Sequence, residues 1–201
     1  MNEHYYSKQP TTASNRQTIQ ATLRGKSYSF VTEAGVFSKR EVDFGSRLLI
    51  ETMEFPKDAK VLDVGCGYGP IGLTAAMLAS EGTVTMLDVN ERAVATAKEN
   101  AERLGIKNVR IMLSDRYEAL APGETFDAIL TNPPIRAGKS IVHSIFEGAF
   151  ERLRPGGALW IVIQKKQGAP SAFAKLEETF GEVREVAKDK GYRIFKAIKQ
   201  N

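Results

Sequence analysis

The chain has 201 residues, 42% of them hydrophobic and 26% charged, with a formal net charge of +4. That length suits one α/β domain with its own core and a small appendage. No apolar run approaches the ~20 residues of a membrane span, residues 1–12 lack the apolar core of a secretion signal, and the lone cysteine excludes an internal disulfide. A cytoplasmic protein without a metal is expected, and the mild positive charge permits a polyanionic partner without requiring one.

Residues 1–16 are polar and read as a flexible terminus. Two β-rich runs, 17–23 and 27–32, flank Arg24-Gly25-Lys26 and read as a hairpin. Gly35-Val36-Phe37-Ser38 follows, and the spacing of Phe44, Leu48 and Leu49 predicts a helix over 42–52. From Lys60 the pattern changes to strands alternating with helices. Strands are predicted at 61–64, 83–87, 109–113, 126–130 and 158–163, and helices at 71–78, 91–104, 140–153 and 171–180. Arg154-Pro155-Gly156-Gly157 should break the third of these helices. Two closing strands, 183–187 and 192–198, are joined too tightly for a crossover and must pair antiparallel. The alternation predicts an α/β, Rossmann-like, doubly wound sheet of seven strands, mostly parallel with an antiparallel terminal strand, plus an N-terminal β-hairpin extension. The organisation expected is a polar terminus (1–16), a hairpin with a covering helix (17–56) and a catalytic domain (57–201).

Asp63-Val64-Gly65-Cys66-Gly67-Tyr68-Gly69 lies between the first strand of that sheet and its helix. In a doubly wound sheet ligands bind at the carboxyl ends of the strands, and a helix N-terminus there offers free N–H groups. The stretch Gly67-Tyr68-Gly69-Pro70-Ile71-Gly72 matches the dinucleotide pattern G-x-G-x-x-G, with acidic Asp88 about 20 residues on. A lone match of this kind is weak. Here the glycine series begins at Gly65, directly after the strand-end carboxylate Asp63. A carboxylate is a poor neighbour for a diphosphate and a good one for an ammonium. S-adenosylmethionine carries an α-ammonium, a sulfonium and no phosphate. Asp88, with Val89 beside it, can accept the ribose hydroxyls, and Ser114-Asp115 can bond the adenine edge, although helix capping explains Asp115 nearly as well. Cys66 reads as a packing residue rather than a nucleophile.

Thr131-Asn132-Pro133-Pro134-Ile135 follows the fourth strand, so its loop opens beside the same crevice. Prolines stiffen it and leave carbonyl acceptors without their own N–H groups. An exocyclic amino group has a delocalised lone pair and is a poor nucleophile. Two acceptors gripping its hydrogens can aim the nitrogen and stabilise the charge that develops on it. No strong general base is needed, which suits a chain with two histidines, His4 in the tail and His143 in a predicted helix.

The sequence resembles class I methyltransferases of the small-domain group and is similar to the bacterial small-subunit ribosomal RNA guanine-N2 methyltransferases of the C type. The residues carrying the resemblance are Gly35-Val36-Phe37-Ser38, Asp43-x-Gly45-Ser46 with Leu48-Leu49, Asp63 to Gly69, Asp88-Val89-Asn90 and Thr131-Asn132-Pro133-Pro134. The resemblance implies that Asp63 and glycines Gly65, Gly67 and Gly69 hold the methionine part of S-adenosylmethionine, with S-adenosylhomocysteine as product. It implies that Asp88 holds the ribose, that Phe37 walls the methionine end, and that Asn132 with Pro133 and Pro134 grips the target amino group. Where the family often has an aromatic residue to stack on the target, this chain has Ile135. Longer members carry a further N-terminal domain, whereas only a hairpin precedes the catalytic domain here. Lys39, Arg40, Arg136, Lys139, Lys165 and Lys166 should converge around the pocket as a phosphate-contacting rim, or form an ordinary solvated surface. The expected partner is ribosomal RNA or the small ribosomal subunit, with monomer and homodimer both open. Competing readings are methylation of a protein glutamine or a DNA adenine, an NAD-dependent oxidoreductase, and a non-catalytic RNA-binding assembly factor.

Overall fold

The computed structural model describes residues 8, 9, 11, 13–36 and 40–201. Strands β1 (Gln17–Leu23) and β2 (Lys26–Thr32) form an antiparallel pair. Arg24 and Gly25 join them with φ of 49° and 76°. Two positive φ values in a two-residue turn match the right-handed twist of the strands they connect. Ile19, Ala21 and Leu23 alternate inward along β1 and are buried, so the hairpin has one apolar face.

Helix α1 (Phe44–Thr52) starts two residues later than the apolar spacing suggests. Asp43 is its N-cap, accepting the Ser46 N–H at 3.0 Å, which leaves Val42 extended and buried before the helix begins. Then follow β3 (Lys60–Val64), α2 (Pro70–Leu78), β4 (Thr83–Asp88), α3 (Glu91–Arg103), β5 (Val109–Leu113), β6 (Phe126–Thr131), α4 (Lys139–Arg152), β7 (Leu153–Gln164), α5 (Ala169–Phe180), β8 (Glu182–Asp189) and β9 (Tyr192–Ile198). The helix does break before Arg154-Pro155-Gly156-Gly157, but that segment already belongs to an irregular start of β7, five residues ahead of the expected strand. Helix α4 ends at Arg152, and the register against β6 jumps between Phe126↔Leu153 and Ala128↔Ala158. Gly157 sits where a Cβ would lie 2.8 Å from the Asp127 carbonyl, so the chain can bulge there only without a side chain.

The main sheet has seven strands in the order β5-β4-β3-β6-β7-β9-β8. The first five run parallel, and β9 pairs antiparallel with both β7 and β8. The last strand of the chain is thus inserted between its predecessors, and β8 forms the edge. Each face of the sheet carries its own core. The hairpin, α1, α2 and α3 cover one, around Leu49, Leu73, Met86 and Ile194; α4 and α5 cover the other, around Phe126, Ile129, Phe146 and Leu176. Burying a side chain of that size contributes about 1.5–3 kcal/mol.

One buried polar residue ties the hairpin to the sheet. Asn100 of α3, with no exposed surface, accepts the Val31 N–H at 2.8 Å and donates to the carbonyls of Val31 (2.9 Å) and Tyr68 (2.8 Å). A single amide thereby satisfies backbone groups in β2 and in the glycine loop after β3. Among the described residues no helix is long and apolar enough to cross a membrane.

Candidate cofactor and acceptor site

Because β3, β4, β5, β6 and β7 are parallel, the loops after them gather at one edge. The chain order reverses direction at β3, so the crevice opens between the ends of β3, β4 and β6. At the end of β3 the Gly65 and Cys66 N–H groups both donate to the Leu87 carbonyl, at 2.8 and 2.9 Å. The loop then runs into α2, whose N-cap Gly69 has φ 110° and no capping side chain. Its closeness to the sheet rests on Gly72, where a Cβ would lie 2.6 Å from Met86 Cγ and 2.8 Å from Asp63 Oδ2.

The two strand-end acids play different structural parts. Asp88 accepts the Gly67 N–H at 2.8 Å through one oxygen and the Asn90 N–H at 2.9 Å through the other. Burial pushes its pKa up to about 6, against the pull of those N–H groups. Asp63 is fully buried, and neither oxygen has a hydrogen-bond partner. Burial, reinforced by the charge of Asp88, pushes its pKa up to about 8. It lines neither lobe of the crevice and holds a proton at neutral pH, so it acts there as a buried neutral acid. The Cys66 thiol is buried and its pKa is pushed well up by the same burial and by both aspartates, which makes it unreactive.

The crevice has two lobes. One, of about 440 Å³, is lined by Asp43, Ser46, Cys66, Gly67, Tyr68 and Ile71; the other, of about 390 Å³, by Val64, Leu87, Val89, Ser114, Arg116 and Ile145. Gly65, Asp88 and Asn132 line both and mark the junction. At that junction the Asn132 side chain is fixed. Its amide nitrogen donates to Asp43 Oδ2 at 3.2 Å and to Ser46 Oγ at 3.0 Å. A carboxylate only accepts, so the NH₂ group must face Asp43 and the amide oxygen is left for the crevice. The cap that starts α1 and the group that orients Asn132 are therefore the same carboxylate.

Pro133 and Pro134 form a tight turn. The Ile135 N–H donates to the Pro133 carbonyl at 2.9 Å, and Pro134 has φ −75° and ψ 80°, the geometry of an inverse γ-turn. One lone pair of the Pro133 oxygen remains. Thr131 Oγ1 donates to the Val64 carbonyl at 2.9 Å and locks the ends of β6 and β3 together.

Most of the residues expected at the site assemble there, with several differences. Val89 and Ser114 line the second lobe, yet the Ser114 hydroxyl is engaged by its own loop, donating to the Arg116 carbonyl and accepting from the Ala119 N–H. Asp115 lies on the far side of Ser114, in a neighbouring hollow, with its carboxylate 2.9 Å from Arg116 Nε. Gly69 packs on Leu73 rather than lining a lobe. Ile135 is half-buried and packs against the core cluster on the α4 face, and it lines neither lobe. Arg40, Arg136, Lys139, Lys165 and Lys166 are exposed on loops and helix starts, and none lines either lobe. Phe37 and Lys39 lie outside the described residues.

Arg116 is a lining residue that the sequence reading missed. It has φ 51°, a conformation that costs a non-glycine residue about 1 kcal/mol or more, and its guanidinium also reaches Ser144 Oγ on α4 at 2.8 Å. Its position next to Ser114-Asp115 at a strand end was the available signal. Ile145 and Tyr68 carried none, since a core residue and a wall residue look alike in sequence.

The methyltransferase small domain profile matches residues 27–196. A Bacillus subtilis protein, the uncharacterized protein YbxB, is 58% identical over 99% of this chain and 100% of its own length. A large-subunit ribosomal RNA methyltransferase G of Aeromonas salmonicida is 32% identical over 96% of this chain and 52% of its own. Among solved structures, the T. thermophilus 16S rRNA N2 guanine methyltransferase, in complex with AdoMet and guanosine, superposes with a TM-score of 0.83 at 30% identity. That match covers 95% of this chain and 52% of the other. The chain thus spans about half the length of these ribosomal RNA relatives.

Proposed function

The chain belongs to the methyltransferase small domain family of S-adenosylmethionine-dependent enzymes, and on that premise we propose that it methylates the N2 amino group of a guanine in small-subunit ribosomal RNA. The observation that carries the proposal is the orientation of Asn132. With both amide hydrogens held by Asp43 and Ser46, its oxygen stands ready to accept one hydrogen of a planar amino group. The free lone pair on Pro133 O offers the second acceptor. Gripped twice, the nitrogen is aimed, and positive charge building on it meets two preorganised dipoles.

The cofactor site fits the same reading. Asp63 is a buried acid with no partner, and Asp88 stands at the junction of the lobes. The carboxylates that line the lobes, Asp43 and Asp88, favour a cationic ligand and oppose a diphosphate. Asp43 and the loop glycines Gly65 and Gly67 would take the methionine end, Asp88 the ribose, and Val89, Leu87 and Ile145 the adenine face. When bound, S-adenosylmethionine supplies an electrophilic methyl group on its sulfonium. A thiolate route to carbon methylation is opposed by the unreactive Cys66.

Arg136, Lys139, Lys165 and Lys166 stand exposed around the crevice without a carboxylate partner among the described residues, as a phosphate-contacting rim requires. The guanine-N2 choice draws on the 30% identical ribosomal RNA enzyme. The test is transfer of tritiated methyl groups to naked ribosomal RNA and to both ribosomal subunits, followed by nucleoside analysis. Label in N2-methylguanosine from the small-subunit RNA is expected. Label in protein, in another nucleoside, or only in large-subunit RNA would overturn the assignment.

A further inference from the structure

We infer that the turn between β8 and β9 and the start of α1 form a stacking surface for RNA, one that seats a nucleotide next to the methylated one. The inference rests on the RNA reading above and concerns residues that it leaves unused: Tyr192, Phe44 and Lys190.

β9 runs antiparallel to β7, so its first residue, Tyr192, sits at the carboxyl edge of the parallel strands. There it is opposite Gln164, just before Lys165 and Lys166. The Lys165 N–H donates to the Gly191 carbonyl at 2.8 Å, binding the lysine pair to the β8–β9 turn. Tyr192 also packs on the first turn of α1. A Cβ at Gly45 would lie 2.9 Å from the Tyr192 ring and 3.3 Å from Asp43 Oδ2. One absent methyl is therefore all that separates the ring from the carboxylate that orients Asn132. The ring of Phe44 lies 5.5 Å from that of Tyr192, at 46°, with the Lys190 ammonium 4.7 Å from its centroid.

Asp43, the partner of the acceptor-gripping Asn132, thus stands one residue from Phe44, whose ring meets Tyr192 and Lys190, and the turn that carries both is bonded to Lys165 through Gly191. Both rings are half-buried rather than sealed into the core. The three lysines are exposed and no ion pair engages them among the described residues; the turn itself contributes one carboxylate, Asp189. Aromatic faces interleaved with cations match single-stranded nucleic acid, in which a splayed base stacks and its phosphates meet the lysines. Ile135 is aliphatic and supplies no ring on which a base can stack. The surface gives the chain another aromatic contact, beside the target rather than on it.

The test measures binding of a fluorescently labelled single-stranded RNA 12-mer by anisotropy, alongside cofactor binding by calorimetry. Tyr192→Leu keeps an apolar side chain against Gly45 but removes the ring; it should weaken RNA binding about tenfold. Tyr192→Phe should restore it, and both should bind the cofactor as the parent does. Lys190→Glu should weaken RNA binding more at low salt than at high salt. Where RNA methylation is measurable, Tyr192→Leu should raise KM for RNA and leave kcat within about twofold. RNA affinity unchanged in Tyr192→Leu and Lys190→Glu would overturn the inference. So would a loss in Tyr192→Leu that Tyr192→Phe does not restore, because the hydroxyl and not the ring would then be responsible. The binding assay reports on this surface even if no RNA accepts methyl groups, an outcome that would overturn the guanine-N2 proposal instead.

Discussion

The two lobes of the crevice are similar in size and opposite in character. The lobe toward α1 is walled by Asp43, with Asp63 hidden behind the glycine loop, and none of its lining residues is cationic. The lobe toward α4 is apolar, with Val64, Leu87, Val89 and Ile145 around a single cation, Arg116. A ligand with a charged amino-acid end and a flat uncharged ring meets complementary surroundings at both ends. A dinucleotide would place its pyrophosphate against carboxylates near the middle. The contrast shows that affinity and reactivity are separable here, because Asn132 at the junction belongs to both lobes and faces the acceptor.

The largest effect expected is from Asn132→Ala. Methyl transfer should fall by about a hundredfold or more, the range found for losing a preorganised acceptor or donor at a developing charge. Cofactor affinity measured by calorimetry should stay within about twofold. An equal loss of both would mean that Asn132 is a cofactor-site residue, which would erase the distinction between junction and lobes.

Asp63 sharpens the contrast through pH. Its folded pKa of about 8 lies above its unfolded value, so the folded state holds the extra proton. Stability of the cofactor-free protein should fall as pH rises from about 4 to about 8, and the cost of ionised Asp63 should be fully present above that window. Asp63→Asn carries no such charge. It should match the parent near pH 4 and exceed it by a few kcal/mol above pH 8, read by urea unfolding. Its affinity for the cationic cofactor should fall below the parent's above pH 8, where the parent's Asp63 is ionised and the variant carries no charge. Parallel stability profiles for the two proteins would show that Asp63 is already satisfied without a ligand.

Smaller effects should come from the groups that hold Asn132. Asp43→Asn offers an amide that can rotate and present a donor, so the orientation of Asn132 is no longer unique. A drop in kcat of about tenfold is expected, together with a higher cofactor KM, because the same carboxylate walls the lobe assigned to the methionine end. Ser46→Ala removes one acceptor and leaves the carboxylate, so a loss of only a few-fold should follow. If Ser46→Ala proved worse than Asp43→Asn, the carboxylate could not be the orienting group.

Much of the fold was legible because local chemistry and tertiary context agree. The strand–helix alternation, the turn at Arg24-Gly25 and the glycines after β3 each express a backbone requirement that a sequence states directly. Pro155 and two glycines rightly signal the end of the helix but hide the early start of β7, because backbone hydrogen bonds between Gly156, Gly157 and Lys199, at 2.7 and 2.9 Å, keep the segment in the sheet. Ile135 shows the limit of a local reading: its place after Pro134 does not reveal that it is half-buried against the core cluster.

The sequence by itself determined that a glycine loop and an Asn132-Pro133-Pro134 turn share one edge of a doubly wound sheet, because chain order and handedness leave no other arrangement. Tertiary structure alone decided how the Asn132 amide points, since Asp43 is 89 residues away in the chain. It also decided that Asn100 would staple the hairpin to the glycine loop, and that β9 would enter the sheet inside β8 and carry Tyr192 to the site. These are contacts between distant segments, fixed by how the faces of packed elements meet, and no local pattern of residues encodes them.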